Sequence, residues 1–363
     1  MISVLEGSIE TFHPVRWAVV VAVALPAFAC AGFVATRLSG GNGGRWLQAL
    51  RYVLAAELLA LIAMGAMGYI YEQRARARDA KLYHPPGRLI DMGGYRLHLN
   101  CMGEGGPTVV LEYGLEGSYL DWKRVQPEIA KFTRVCSYDR GGYGWSDESP
   151  KARLPSAMAE ELHSLLEASG EKPPYIVVGH SYGALIAEMF AHKFPQETAG
   201  AVLVDGIIPR GAPWFPLSYK VWLRFQQWTE PFGLPRWRGW CGGARAKESR
   251  GEAEAANCRP RVYAAYFRER AQLALASDDM RPITSLGDMP LVVISRDPSV
   301  SHEAEAGSHA KEQEELARLS SSGRLMVAQG SGHDVPGMRP DAIVASVRGL
   351  VRPQGQAGSL GNP

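Results

Sequence analysis

The sequence predicts an α/β protein: helices flank a mostly parallel sheet, a helical insertion interrupts it, and an N-terminal transmembrane helical hairpin precedes it. Three observations support this prediction. From about residue 81, short apolar runs alternate with longer, more polar segments. About 80 residues without a comparable run separate Asp205 from Leu291. Two long apolar segments lie within the first 71 residues.

The two apolar segments have the length of membrane spans. Residues 17–36 carry no charge, and residues 52–71 carry only Glu57. Because a helix rises about 1.5 Å per residue, about 20 apolar residues cross a hydrocarbon core of about 30 Å. We therefore expect residues 1–80 to form a membrane anchor with two transmembrane helices. Two alternatives stay open, namely buried core helices and a signal peptide cleaved at the A-x-A sequence of residues 27–29.

Basic residues near the spans predict the orientation of the chain. The loop between the spans carries fewer of them than the outer flanks do. They are Arg37, Arg45 and Arg51 in the loop, and Arg16, Arg74, Arg76, Arg78 and Lys81 in the flanks. This bias predicts a multi-pass membrane protein whose large domain, residues 81–354, lies in the cytoplasm.

The composition narrows the possible functions. The net charge of +2 gives no electrostatic support for nucleic-acid binding. The five cysteines are too few for a disulfide scaffold, and none forms the Cys-x-x-Cys pattern of a structural zinc site. Cys241 and Cys258 flank a short stretch rich in Gly, Ala and Glu. Their pairing is left open, because a cytoplasmic location argues against it.

The large domain is predicted as alternating strands and helices. Apolar, β-branched runs predict the strands, and apolar residues at helical spacing predict the helices. The predicted strands are 88–91, 95–100, 108–112, 134–138, 175–178, 201–204, 291–295 and 325–328. The predicted helices are 154–168, 183–194, 303–319 and 341–351. This alternation indicates a largely parallel sheet with helices on both faces.

The insertion, about residues 207–286, is too long for a plain crossover and predicts a helical lid. Five of the nine tryptophans in the chain lie between residues 214 and 240. One interpretation is that these rings form the core of the lid. The other is that some of them line an apolar substrate pocket or contact a bilayer surface. Residues 355–363 are predicted to be a flexible tail.

The Gly-His-Ser-Tyr-Gly sequence of residues 179–183 is the strongest chemical signal. It follows an apolar strand and begins an apolar helix, which is the context of a nucleophile elbow. Such a turn strains the serine backbone and projects its hydroxyl, and the two glycines avoid side-chain clashes. The sequence therefore predicts Ser181 as a catalytic nucleophile.

A serine hydroxyl needs a base, and the base needs a third group to hold it. His333 follows the last predicted strand on a glycine-rich loop and is the predicted base. Asp297, at the end of the strand 291–295, is the favoured acid because it lies between serine and histidine in the chain. Asp205 is the alternative acid, and Asp334 is a third choice.

A tetrahedral intermediate needs backbone N–H groups aimed at its oxyanion. The residue after the nucleophile, Tyr182, is expected to supply one of them. The loop after the strand 108–112 is expected to supply the other, most simply from Leu115 in Tyr113-Gly114-Leu115.

Together these residues resemble the α/β-hydrolase superfamily, in the branch with a serine nucleophile and a lid between the sixth and seventh strands. The resemblance covers about residues 85–352. Its motifs are Gly114, the run Asp139-Arg140-Gly141-Gly142-Tyr143-Gly144-Trp145-Ser146, the turn at Ser181, Asp297 and His333. The run at 139–146 is usually structural in this superfamily. Many members have histidine where this chain has Tyr113, a departure that leaves the backbone donor in place.

The resemblance implies cleavage of an ester, thioester or amide through an acyl-enzyme. Ser181 argues against epoxide hydrolases and dehalogenases, which use aspartate at that position. We expect a carboxylesterase-like or lipase-like enzyme that acts on a small, apolar ester at a lipid bilayer, with no metal or organic cofactor. A perhydrolase, a carbon–carbon bond hydrolase and a non-catalytic binding module are the alternatives. The oligomeric state is not predicted.

Overall fold

The computed structural model describes residues 43–209, 217–241, 246–300 and 303–351. The chain divides into two units, residues 1–73 and residues 74–363. The first predicted span, residues 17–36, and the predicted tail, residues 355–363, lie outside the described residues.

A long helix, α1 (Gly43–Leu82), contains the second predicted span. Its segment Gln48–Leu82 is long and apolar enough to cross a membrane, with a mean hydropathy of 2.0 in its most apolar window. None of that window is buried, so the segment is not a core helix. The structure thus contains one candidate span among the described residues, whereas the predicted hairpin needs two.

The second unit is built on an eight-stranded sheet in the order β1-β2-β4-β3-β5-β6-β7-β8. The strands are β1 (Arg88–Asp91), β2 (Arg96–Met102), β3 (Thr108–Glu112), β4 (Val135–Tyr138), β5 (Tyr175–His180), β6 (Thr198–Val204), β7 (Leu291–Arg296) and β8 (Gly323–Ala328). The pairs β1–β2 and β2–β4 are antiparallel, and the others are parallel. Each of the eight predicted strands is present.

Helices cover both faces of this sheet. Outside the insertion they are α2 (Gln126–Ile129), α3 (Pro155–Ser169), α4 (Gly183–Lys193), α10 (Glu303–Ala317), α11 (Val335–Met338) and α12 (Pro340–Val351). Successive residues of a strand point to opposite faces, and both faces of β3 are buried. Val110 packs in the core that includes α3 and α4, whereas Val109 and Leu111 pack in the core that includes α12. This two-sided burial explains why the strands are continuously apolar.

The insertion between β6 and β7 is helical, as predicted. It contains α5 (Leu217–Thr229), α6 (Leu234–Arg238), α7 (Ala246–Asn257), α8 (Pro260–Leu273) and α9 (Ala276–Met280). We call this insertion the lid. Trp214 and Phe215, two of its predicted aromatic residues, lie outside the described residues.

Two disulfides are present. Cys241 and Cys258 pair within the lid, which answers the question that the sequence left open. Cys101 and Cys136 pair across the neighbouring strands β2 and β4. This second pair was not anticipated from the sequence, because the two cysteines become neighbours only through the strand register.

Candidate active site

Ser181 lies at the tight turn between β5 and α4. Its φ of 54° is in the left-handed region, which is rare for a residue other than glycine. A Cβ at Gly179 would lie 2.3 Å from the Gly183 carbonyl oxygen, and one at Gly183 would lie 2.5 Å from the Tyr113 carbonyl oxygen. Both positions therefore require glycine, and the turn has the strained geometry that the motif predicts.

His333 lies on the loop after β8 and faces the serine. Its Nε2 is 2.9 Å from Ser181 Oγ, and its Nδ1 is hydrogen-bonded to Asp205 Oδ2 at 2.5 Å. An ionised carboxylate only accepts hydrogen bonds, so Nδ1 carries the proton and Nε2 presents its lone pair to the hydroxyl. Serine, histidine and aspartate thus form a continuous chain of contacts.

The aspartate that contacts His333 is Asp205, after β6. This geometry corrects the prediction from the sequence, which favoured Asp297 as the acid and gave Asp205 as the alternative. Asp297 accepts hydrogen bonds from the Gly330 N–H at 2.7 Å, the Ser299 N–H at 2.9 Å and the Ser299 hydroxyl at 2.7 Å. Its carboxylate is therefore occupied in holding the turn after β7 to the loop that carries His333. Asp334 caps α11 through the Gly337 N–H.

A second histidine contacts the same aspartate. His309, on α10, has its Nε2 2.7 Å from Asp205 Oδ1. The side chain of His309 is only 12% exposed. No local pattern marks it, because α10 reaches Asp205 only through the packing of the helix against the sheet.

The surroundings of Asp205 favour its ionised form. Although burial raises the pKa of this carboxyl, the hydrogen bonds from His309 and His333 lower it more, and the result lies well below its usual range. The Arg296 N–H donates a further hydrogen bond to Oδ1 at 2.9 Å. Asp205 is thus held as an anion at neutral pH.

His180, inside the elbow, supports the loop that carries His333. Its Nε2 lies 2.8 Å from the His333 carbonyl oxygen, and the two rings are 4.9 Å apart. Burial, together with the proximity of His333, lowers the pKa of His180 to about 4. At neutral pH it is therefore uncharged, and it donates its Nε2–H to that carbonyl.

The predicted oxyanion donors lie on segments that meet at the serine. Tyr182 is the N-cap of α4, where backbone N–H groups lack partners within the helix. A Cβ on Gly114 would lie 3.2 Å from Ser181 Cβ, so the loop after β3 packs directly against the nucleophile. Leu115 follows in that loop.

Comparison with known proteins agrees with this architecture. A family model described as the alpha/beta hydrolase fold matches residues 107–274. The chain has the α/β-hydrolase fold. The match covers β3 to β6 and most of the lid.

Individual relatives resemble this chain over part of its length. The uncharacterised protein YqjL of Bacillus subtilis is 40% identical over 103 residues, which are 28% of this chain and 41% of that protein. An AB hydrolase superfamily protein of Gibberella zeae is 28% identical over 68% of this chain and 86% of its own length. This chain spans about half or less of the curated relatives YqjL, YbdG and efuK, at 41%, 51% and 23% of their lengths.

A solved structure shares the fold. A thermophilic esterase from Thermogutta terrifontis superposes with a TM-score of 0.53 at 22% identity, covering 72% of this chain and 95% of the esterase. At this identity the likeness concerns the fold alone.

In this α/β-hydrolase fold, the run at 139–146 supports the loop beside the serine. The Arg140 guanidinium donates to the carbonyl oxygens of Tyr113 at 2.8 Å and Gly114 at 2.9 Å. In a trans peptide the C=O and N–H groups point in opposite directions. Because Arg140 holds the Gly114 carbonyl, the Leu115 N–H points away from Arg140.

Arg140 is itself fixed by two buried carboxylates. It pairs with Glu112 on β3, and its Nε is 2.9 Å from Glu269 Oε1 on α8 of the lid. The Tyr113 ring centroid lies 4.0 Å from its guanidinium carbon. Asp139, in turn, accepts hydrogen bonds from His98, Tyr119 and Trp145. These contacts give the run a structural role at the base of the site.

One group of metal-ligating side chains comes together in the described part of the chain, namely Cys101, Cys136 and Glu171. The two cysteines are joined in a disulfide, so they offer no thiolate to a metal. This group therefore does not form a metal centre while the disulfide is intact.

Proposed function

We propose that this protein is a membrane-anchored serine hydrolase that cleaves a carboxylic ester through an acyl-enzyme. The observation that carries the proposal is the contact of 2.9 Å between Ser181 Oγ and His333 Nε2. A general base must lie within hydrogen-bond reach of the proton that it removes, and this distance satisfies that requirement.

The proposed reaction has two halves. His333 Nε2 takes the proton from Ser181 as Oγ attacks the ester carbonyl carbon, and Asp205 stabilises the resulting imidazolium. The Tyr182 and Leu115 N–H groups hold the oxyanion, and collapse of the intermediate expels the alcohol, which takes the proton from His333. Water then attacks the acyl-enzyme with His333 as base, releasing the carboxylic acid and restoring Ser181.

The substrate class rests on the lid and on the anchor. The lid, which lies between β6 and β7, contains an aromatic-rich segment. The helix α1 is apolar enough to span a bilayer. Both features favour a small, apolar ester that partitions into lipid.

The side of the membrane is proposed from the disulfides. Disulfides persist in oxidising compartments and are rare in the cytoplasm. Two pairs, Cys101–Cys136 and Cys241–Cys258, therefore favour a catalytic domain on the non-cytoplasmic side. This reverses the orientation expected from the count of basic residues. We give the disulfides more weight because that count differed by only two residues.

A fluorophosphonate probe tests the proposed nucleophile. The full chain in detergent or vesicles should label covalently, and Ser181→Ala should abolish labelling. Ser164→Ala is the matched control, because this serine is only partly buried on α3 and its hydroxyl donates to the Glu160 carbonyl of its own helix. A folded wild type that fails to label would contradict the proposal, and equal labelling of Ser181→Ala would exclude Ser181.

Thiol alkylation tests the proposed compartment. Membranes from producing cells are denatured and treated with a large maleimide reagent, with and without prior reduction. We expect one modified cysteine, Cys30, without reduction and five after it. Modification of all five cysteines without reduction would contradict the non-cytoplasmic placement.

A further inference from the structure

The lid presents large apolar side chains to solvent along one helix. On α5, Leu217 is 74% exposed, Val221 58% and Trp228 72%. Phe225, on the same helix, is also exposed. Phe232 and Trp237 extend the apolar surface beyond the end of the helix. We call these six residues the lid face.

The spacing on α5 makes the face continuous. With 3.6 residues per turn, positions 217, 221, 225 and 228 fall within an arc of about 80°. The opposite side of the helix, which includes Leu223 and Gln226, is buried. The solvent-exposed side of α5 is therefore apolar, which is unusual for a helix that faces water.

The charged side chains beside the face are basic. Lys220 and Arg224 lie along one edge of the arc and are exposed. Arg238, also basic, is partly exposed at the end of α6. The acid of this segment, Glu230, is instead buried in an ion pair. An exposed apolar stripe with a basic edge is the composition of a helix that lies in a membrane interface.

The lid is tied to the chain segment that follows the candidate span. Arg76 lies 2.5 Å from Glu230, and Arg236 lies 2.7 Å from Asp79. Three of these four side chains are buried, so the attachment is firm. Arg76 and Asp79 belong to α1, whose apolar part precedes them in the same helix. The lid is therefore anchored within a few residues of the segment proposed to enter the bilayer.

We propose that the lid face docks onto the headgroup and upper acyl region of the bilayer that holds α1. This inference rests on the proposed membrane anchoring, but not on the proposed chemistry. Tryptophan rings favour this region because they are apolar and carry one polar N–H group. Lys220 and Arg224 would meet anionic headgroups.

Charge favours lipid over a second copy of this chain. A two-fold interface places the same surface of each copy against the other. Such an interface would bring the basic edge formed by Lys220 and Arg224 close to its own copy. Anionic lipid instead supplies the opposite charge to that edge.

Fluorescence quenching of labelled lid positions tests the docking. In a Cys30→Ser background, the other four cysteines are paired, so an added cysteine can be labelled with a nitrobenzoxadiazole dye. Trp228→Cys and Val221→Cys report on the lid face. Leu325→Cys, on the edge strand β8, is the control at an exposed apolar position of the sheet. The full chain is reconstituted in vesicles of phosphatidylcholine and phosphatidylglycerol that contain a nitroxide lipid.

We expect both lid labels to be quenched about twofold or more relative to the label at 325. Substituting Lys220→Gln and Arg224→Gln together should reduce quenching in vesicles with phosphatidylglycerol, with little change in pure phosphatidylcholine. Quenching of both lid labels that does not exceed that of the control would overturn the proposal. Shielding of the lid labels from water that occurs without lipid and increases with protein concentration would also overturn the proposal. It would identify a second copy of this chain as the occupant of the lid face.

Two further measurements distinguish lid docking from the proposed anchoring and from the proposed chemistry. Alkaline carbonate extraction reports anchoring, and a chain that resists extraction without lid quenching contradicts docking alone. Fluorophosphonate labelling reports the chemistry, and quenching in a chain that does not label contradicts the hydrolase proposal alone.

Discussion

His309 Nε2 lies 2.7 Å from Asp205 Oδ1, while His333 Nδ1 binds the other oxygen of the same carboxylate. Each oxygen of the proposed triad acid thus has its own imidazole partner. Since the ionised carboxylate only accepts, His309 donates its Nε2–H. His309 therefore fixes the rotation of the carboxylate that orients the proposed base.

Replacing His309 should lower turnover through this contact. A hydrogen bond to a charged group contributes roughly 1.5–3 kcal/mol, which corresponds to about tenfold or more if it is fully expressed in the transition state. We expect His309→Ala to reduce kcat about tenfold with little change in KM, and His309→Gln to recover part of the loss through its amide N–H. Initial rates of ester hydrolysis over a range of substrate concentrations give both constants. His84→Ala, at an exposed histidine, is the control. Unchanged kcat in His309→Ala would contradict this role.

Substitutions of the two candidate acids, Asp205 and Asp297, should have clearly different effects on kcat. Asp205→Asn removes the acceptor of the His333 proton and should lower kcat by roughly 10⁴-fold, the scale known for this substitution in a serine triad. Asp297→Asn disturbs a turn that supports the loop, and we expect less than about a tenfold effect. Ester hydrolysis at saturating substrate gives kcat for each variant. A larger loss in Asp297→Asn would restore the acid favoured by the sequence.

Arg140→Lys should impair the proposed oxyanion site without removing a charge. Lysine has no planar fork and cannot hold the Tyr113 and Gly114 carbonyls together. We expect kcat to fall roughly tenfold while KM changes little, because the affected N–H groups act in the transition state. Circular dichroism checks the fold. Arg96→Lys, in an exposed pair with Asp147, is the control and should be near neutral. Equal kcat in the two variants would contradict a positioning role for Arg140.

The stability of the domain should depend on pH through Glu188 on α4. Burial raises the pKa of Glu188 from an ordinary value near 4.5 to about 8. Between these values the folded state holds more protons than the unfolded state. The free energy of unfolding therefore decreases as pH rises, by up to about 1.4 kcal/mol per pH unit.

Thermal unfolding measured from pH 5 to pH 8 tests this dependence. The upper limit of this pH range is set by the pKa of Glu188, which is about 8. Glu188→Gln should flatten the decline in Tm and raise Tm most at the upper end of the range. Glu148→Gln, at an exposed position, should leave the pH dependence unchanged. If wild type and Glu188→Gln decline in parallel, Glu188 is not the titrating group.

The local sequence pattern was sufficient to predict the strands and the turn at Ser181. The β-branched runs and the glycines at 179 and 183 specify their structure through nearest-neighbour sterics, which a sequence displays directly. The helical lid followed from the length of the insertion and its aromatic content. Ser181 and His333 could be chosen because each lies at a strand end in the expected order.

Contacts between distant segments were not available from the sequence. Asp205 and Asp297 both follow strands and both fit near the end of the sheet, so sequence reasoning could not choose between them by position. The choice depended on which carboxylate contacts His333 Nδ1, and that carboxylate is Asp205. His309 and the Cys101–Cys136 pair depended in the same way on helix packing and on strand register.

The sequence by itself thus determined the class of fold, the nucleophile and the base of the proposed triad, because these follow from local periodicity and turn chemistry. Only the tertiary structure decided which aspartate joins them and which face of the lid stays exposed. The choice of aspartate depends on side chains brought together from segments about 130 to 150 residues apart. Hydrogen-bond geometry at such separations is set by packing, and no short pattern encodes it.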